Sequence, residues 1–310
     1  MPKGHLGGVL GLGRGPAAGG AGGAARALRM ASPFERFRRG GPAASAGGES
    51  APSSRQSGAE PRATIPSRGT PPKKRGSPKK PGDGSPKRAR SGRALPEGPP
   101  KGLGPKFGKQ PLRLLVVGHN PSAHAWATGH YYSNPSNWMW KILPESGIAP
   151  AWVRGCEADD RLPDEAGIGF VDVGCGHPGT ESAKFSSGDF EVWAKGFYGR
   201  LREMAAEAGE RNGCTCGRCG QPAFVAFSGK RQYLELMNVG RVGRKLSSVT
   251  TGLQEELPPG WPLQDSQVWV CTSTSGASAL TNEARLAPYR ALAEVLREVP
   301  WPRPLGCPRR

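Results

Sequence analysis

Four short apolar runs do most to restrict the folds open to this chain. They are LRLLVVG (112–118), GIGFVDV (167–173), AFVAFSG (223–229) and QVWVCTS (267–273), each running out at Gly, Ser or Thr. Runs of this length without polar alternation read as strands covered on both faces of a sheet. Between them the period becomes helical. Val192, Phe197, Leu201 and Met204 recur along FEVWAKGFYGRLREMAAEA, and Tyr289, Leu292, Val295, Leu296 and Val299 along YRALAEVLREV, where Pro288 suits a first turn. The alternation predicts a three-layer α/β/α domain around a central, mostly parallel, four-stranded sheet. Ligands of such sheets gather beyond the carboxyl ends of the strands. GHNP, VDVG, FSGK and STSG all fall there, so these four loops are expected to meet in one site.

Charge sets the limits of that domain. Residues 1–110 hold 22 Lys and Arg against 5 Asp and Glu, whereas residues 111–310 hold 21 against 20. Nearly the whole net charge of +18 therefore sits in the first third, which is rich in Gly, Pro, Ala and Ser. Such a segment cannot bury enough apolar surface to offset chain entropy, so 1–108 is expected to be a disordered basic tail. The domain is expected over 109–302, with a Cys-rich insertion at 209–221 and a short tail at 303–310. There is no apolar run long enough to span a membrane.

The tail holds two Ser-Pro-basic-basic units, Ser77-Pro78-Lys79-Lys80 and Ser85-Pro86-Lys87-Arg88. They resemble the minor-groove tails of chromatin proteins, and the paired clusters resemble a bipartite nuclear signal. Lys79, Lys80, Lys87 and Arg88 would neutralise phosphates and release counterions, raising DNA affinity without reading sequence. A solvated charge run with no fixed partner is the plainer alternative. The Ala- and Arg-rich opening also resembles an organellar transit segment, so the nucleus is the expected compartment and a chloroplast or mitochondrion the alternative.

The stretch GHNPSAHAWATGHYYSNPSNWMWK, from Gly118, resembles the first motif of the mismatch-specific uracil/thymine DNA glycosylases, a branch of the uracil-DNA glycosylase superfamily. The family's Gly-x-Asn-Pro, Gly-His-x-aromatic and Gly/Ser-Asn-x-aromatic-Trp spacing is followed without a gap from Gly118 to Trp140, with Met139 at the aromatic position of the third. GIGFVDV, FSGKRQY and VWVCTSTSGAS stand where the family has its later strands and its DNA-wedge loop. The resemblance covers roughly residues 110–300. It implies hydrolysis of the bond between deoxyribose and uracil, with thymine as an alternative base, mispaired with guanine. The alternatives are uracil removal without mismatch selectivity, and a DNA-binding protein of the same fold weakened in catalysis by the changes at His119, Ser122 and Ala277. The partner implied is double-stranded DNA with the pyrimidine flipped out. The abasic product would pass to downstream repair enzymes. A monomer needing no cofactor for catalysis is expected, and no pocket lysine is present for a Schiff base.

Residue by residue, the resemblance makes Asn120 the catalytic asparagine, holding a water beneath the sugar carbon. Without the motif, an Asn before Pro would read as a turn or helix cap. Tyr132 matches the aromatic on which the flipped base stacks. His119 replaces an aliphatic residue: it donates to O2 of the leaving base, or it points away into a polar core. Ser122 replaces a glycine. Asp172 accepts from the base edge or assists the water; alternatively it pairs with a basic residue at a strand end. His130 and Asn137 match residues that brace the substrate loop. The loop Ser273, Thr274, Ser275 and Gly276 resembles the segment that grips phosphates, Ala277 stands where relatives carry the plug that fills the duplex, and Lys230 is a candidate phosphate contact or simply an exposed lysine. Ala277 is too small to plug the duplex, a task Leu280 would take only from a displaced loop.

Cys214, Cys216 and Cys219, at C-x-C-x-x-C spacing in a Gly-rich loop, invite a structural zinc. The fourth ligand would come from elsewhere, such as Cys175, His177 or Cys156. Cys307 reads as exposed and idle. Free thiols on a loose loop are the plainer alternative.

Overall fold

The computed structural model of the protein describes residues 100–305 and 307. Most of the basic tail, with Lys79, Lys80, Lys87 and Arg88, lies outside the described residues, as does the transit-like opening. Residues 100–108 are described, and they pack rather than trail. Leu103 is buried, Lys106 bridges Phe170 through paired backbone bonds, and Phe107 lies against the core. The ordered body thus starts earlier than the charge boundary suggests.

Five strands form one sheet: β1 (Leu114–Gly118), β2 (Ile168–Asp172), β3 (Phe224–Phe227), β4 (Gly252–Gln254) and β5 (Gln267–Val270), in the order β2-β1-β3-β5-β4. The four strands read from sequence pair in parallel. The expected four-stranded sheet gains β4, an antiparallel edge strand on β5. Its three partly exposed residues leave no apolar run to read. β1, at the centre of the parallel set, is buried at every position.

Among the described residues six α-helices accompany the sheet: α1 (Ala123–Thr128), α2 (Met139–Glu145), α3 (Leu162–Ala166), α4 (Ser187–Arg211), α5 (Lys230–Asn238) and α6 (Asn282–Leu296). Alternate side chains of each strand point to opposite faces. Leu115, Val117, Val171, Val225 and Phe227 meet Phe190, Phe197 and Leu201 of α4 and Tyr233 and Leu236 of α5. On the other face Phe170 meets Tyr131 and Trp140, and α2 contacts α6. This is the layered architecture expected.

Two helix readings change. Val192 is 71% exposed, and the buried stripe of α4 runs instead through Phe190, Trp193, Phe197, Leu201 and Met204. α6 starts at Asn282, where Thr281 Oγ1 accepts from Ala284 N, so Pro288 lies inside the helix and not in its first turn. Among the described residues, no helix is long and apolar enough to cross a membrane.

Candidate active site

The carboxyl ends of β1, β2, β3 and β5 do come together. Gly118 stands opposite Asp172 in the register, and the chains stay joined beyond it: Val173 N donates to Gly118 O and Gly174 N to His119 O. Tyr132 Oη lies 2.9 Å from Ser228 Oγ, tying the first motif to the end of β3. Trp138 N donates to Thr274 O at 2.8 Å, tying the same motif to the loop after β5. Gly118 is required by crowding: a Cβ there would sit 2.0 Å from Asp172 Oδ1 and 2.9 Å from Tyr132 Oη.

Asn120 is half-buried at the first turn beyond β1. Its Nδ2 donates to three backbone carbonyls, of Pro121 (3.1 Å), His177 (2.9 Å) and Gly179 (3.0 Å). That cradle fixes which end of the amide is nitrogen. Oδ1 must then accept from His119 Nδ1, 2.7 Å away, which fixes the imidazole tautomer as well. The helix cap that an Asn could have supplied is made by Ser122, whose Oγ accepts from Ala125 N. Ser122 therefore has a structural task, and Asn120 is left for another. A hollow of about 500 Å³, lined by Pro178, Gly179, Thr180, Glu181, Lys184 and Phe185, adjoins Asn120 through Gly179.

His119 is directed inward. Its ring packs edge-on against Phe190 and Trp193 and beside Phe185. Burial pulls its pKa down, against the Asn120 bond, which raises it. Nε2 is buried with no partner among the described residues, so a second proton there would be poorly solvated. The neutral ring has one N–H, and Asn120 takes it. No N–H remains to donate to a leaving base. The interior it enters is aromatic, not polar.

Tyr132 sits half-buried beside Asp172 with φ of 53°, a left-handed backbone costing on the order of 1–3 kcal/mol for a bulky residue. The neighbours enforce it. Tyr131 N donates to Asp159 Oδ2 at 2.7 Å, Trp140 Nε1 donates to Tyr131 O at 2.9 Å, and Tyr132 Oη is held by Ser228. His130 Nδ1 lies 2.8 Å from the fully buried Asp159, which also takes Lys106 Nζ at 2.8 Å. Asn137 Oδ1 accepts from Met139 N and opens α2. Both residues thus hold the loop rather than face the site directly.

Asp172 is buried, and its carboxylate forms no hydrogen bond or ion pair among the described residues. The expected strand-end ion pair is absent: Arg200 donates instead to the carbonyls of Asp172 and Val173. Burial pushes the carboxyl up from 3.8 to about 7, with Arg200 a smaller opposing influence.

The loop from Ser273 to Ser278 is shaped by Arg285 of α6. Its Nη1 donates to the carbonyls of Ser273 (3.1 Å) and Ser275 (2.9 Å), and Nη2 to that of Ser278 (3.0 Å). Thr274 is buried, whereas Ser275, Gly276 and Ala277 are exposed at the tip, with Gly276 against Ser136 O. Leu280 is 37% exposed beside them. Lys230 is exposed at the start of α5. Sequence reasoning missed Arg285, Asp159 and the carbonyls of His177 and Gly179. An arginine in an apolar helix face was the one usable signal.

Cys214, Cys216 and Cys219 lie at the opposite end of the sheet, between α4 and β3. Their neighbour is Cys307, and the group of four contains none of Cys175, His177 and Cys156. Cys307 is neither remote nor fully exposed, because the chain after α6 folds back on the body: Arg303 Nη1 donates to Leu112 O at 2.9 Å.

An Asn amide oxygen at the mouth of a parallel sheet, an aromatic beside a buried carboxyl, and an anchored loop of small residues can together orient water, stack a base and admit a phosphate backbone. The profile of the Uracil DNA glycosylase superfamily matches residues 105–297, more than half of the chain. The chain belongs to the uracil DNA glycosylase superfamily, whose members hydrolyse N-glycosyl bonds of damaged bases in DNA.

Proposed function

We propose that the protein is a monofunctional glycosylase that removes uracil mispaired with guanine and leaves an abasic site. The observation that carries this reading is the held amide of Asn120. One lone pair of Oδ1 is occupied by His119, and the other is left for a water. An amide is too weak a base to take the proton outright, so its contribution is position: the water is set in line with the bond to be broken. The flipped pyrimidine would stack on Tyr132, whose strained backbone holds the ring in one orientation. Asp172, poised near neutrality, faces that ring as either an acceptor for N3–H or a proton donor to the base.

The loop Ser273–Ser278 would grip phosphates through its backbone and hydroxyls, with Lys230 at the rim. A second reading is favoured by Ala277: with a methyl group at the plug position, uracil removal would not depend on the opposite base. The two diverge on a duplex panel. Mismatch reading predicts faster release from G:U than from A:U, and single-stranded uracil slower than both; equal rates support the second reading.

The mechanism is tested by counting abasic sites formed in a G:U duplex by wild type and Asn120→Ala. The variant should be slower by roughly two to three orders of magnitude while still binding abasic DNA. Equal product from the two proteins would exclude the assignment.

A further inference from the structure

The Cys-rich insertion does not serve the site at the strand mouths, and its geometry has its own chemistry. The sulfurs of Cys214, Cys216, Cys219 and Cys307 all lie within 4.8 Å of one another. Four sulfurs bound at ~2.3 Å to one tetrahedral ion would be spaced ~3.8 Å apart, so the group is the size of a single-ion site. An iron–sulfur cluster would spread its ligands wider. Cys214 Sγ and Cys216 Sγ are 3.2 Å apart, well beyond the ~2.0 Å of a disulfide, and all seven cysteines are free.

The loop is also shaped to present thiolates. Cys216 Sγ accepts from Arg218 N (3.4 Å) and Cys219 N (3.3 Å) across a turn at Gly217, whose φ is +72°. Backbone N–H groups aimed at sulfur favour the thiolate, the form that binds a metal ion.

Both halves of the group are anchored. A Cβ on Gly220 would sit 1.8 Å from Ala205 O, so the loop lies directly on α4, and Cys214 N donates to Gly209 O at 2.9 Å. On the other side Arg303 donates to the carbonyls of Leu112 and Gln221 and delivers Cys307 four residues later. The backbone positions are thus set by contacts that do not involve sulfur.

We propose that Cys214, Cys216, Cys219 and Cys307 bind one Zn²⁺ as a closed, tetrahedral tetrathiolate that clips the C-terminal segment to the insertion between α4 and β3. Four protein ligands leave no open position for water, and the group lies at the end of the sheet remote from Asn120. Its role is therefore structural.

The test uses the full chain, purified without chelators. Elemental analysis should find one zinc per chain. Exchange for Co²⁺ should give thiolate-to-metal charge transfer in the near ultraviolet and intense ligand-field bands in the red. Cys307→Ser should weaken Zn²⁺ in competition with a chromogenic chelator by at least roughly tenfold. Cys307→His should retain the ion, and Cys156→Ser should bind as wild type does. Chelation should lower the melting temperature of the wild type more than that of Cys307→Ser, with uracil release by folded protein unchanged. Metal-free chain with no cobalt spectrum, disulfides in place of titratable thiols, or undiminished affinity in Cys307→Ser would each overturn the proposal.

Discussion

At the scale of single residues, the site turns on who satisfies whom. Among the described residues His119 supplies the only side-chain donor to Asn120 Oδ1, so His119→Leu, a return to the aliphatic type, should leave the amide less well held. A lost neutral hydrogen bond of about 1 kcal/mol corresponds to a fall of roughly fivefold in kcat with little change in KM. Single-turnover kinetics on G:U DNA would show it. Asp172 makes a different prediction. Its carboxyl rises from 3.8 to about 7 on folding, so between those values the folded protein keeps a proton that the unfolded chain has released. Its contribution to stability is whole at low pH and is lost as pH rises through 7. Asp172→Asn has no such loss. Its stability relative to wild type should climb from about pH 4 to about pH 8, by on the order of 4 kcal/mol at most, in urea titrations. Asn120 and Tyr132 were singled out only through the resemblance that GHNP and GHYY carry, and both lie at the strand mouths. The cradle around Asn120 was not legible, because backbone carbonyls such as those of His177 and Gly179 leave no mark on residue type.

At the scale of elements, the four parallel strands were readable because both faces are buried, which removes polar alternation. β4 escaped since it is short and partly exposed, and α5 since its residues KRQYLELMN mix charge with only a few apolar anchors. The start of α6 was obscured by Pro288, a residue more common in first turns than within helices. That helix matters beyond packing, because it carries Arg285 into the loop after β5. Arg285→Met should strip three carbonyls of their donor and cost roughly 3 kcal/mol of stability. It should also weaken binding to abasic duplex by about tenfold or more, as the loop loses its shape. Lysine in its place should restore only part, since one ammonium cannot fork across three acceptors.

At the scale of the whole molecule, the chain divides its labour by charge. Residues 111–310 are nearly neutral, and the first third holds almost all of the positive charge that would attract DNA. Removing residues 1–99 should flatten the salt dependence of binding, with the slope of log Kd against log salt falling by about 0.9 for each phosphate no longer neutralised. The rate of base release at saturating enzyme should not change. An unchanged slope would show that the tail does not engage phosphates.

Where the tail is cut decides what survives. Lys106 reaches Asp159, the same carboxylate that holds His130 and the backbone of Tyr131. A fragment begun at residue 110 would look complete by hydropathy, yet it would withdraw the counterion from an anion sealed inside the body. The turn that aims Tyr132 would slacken, and a trimming meant to discard a leash would blunt the blade.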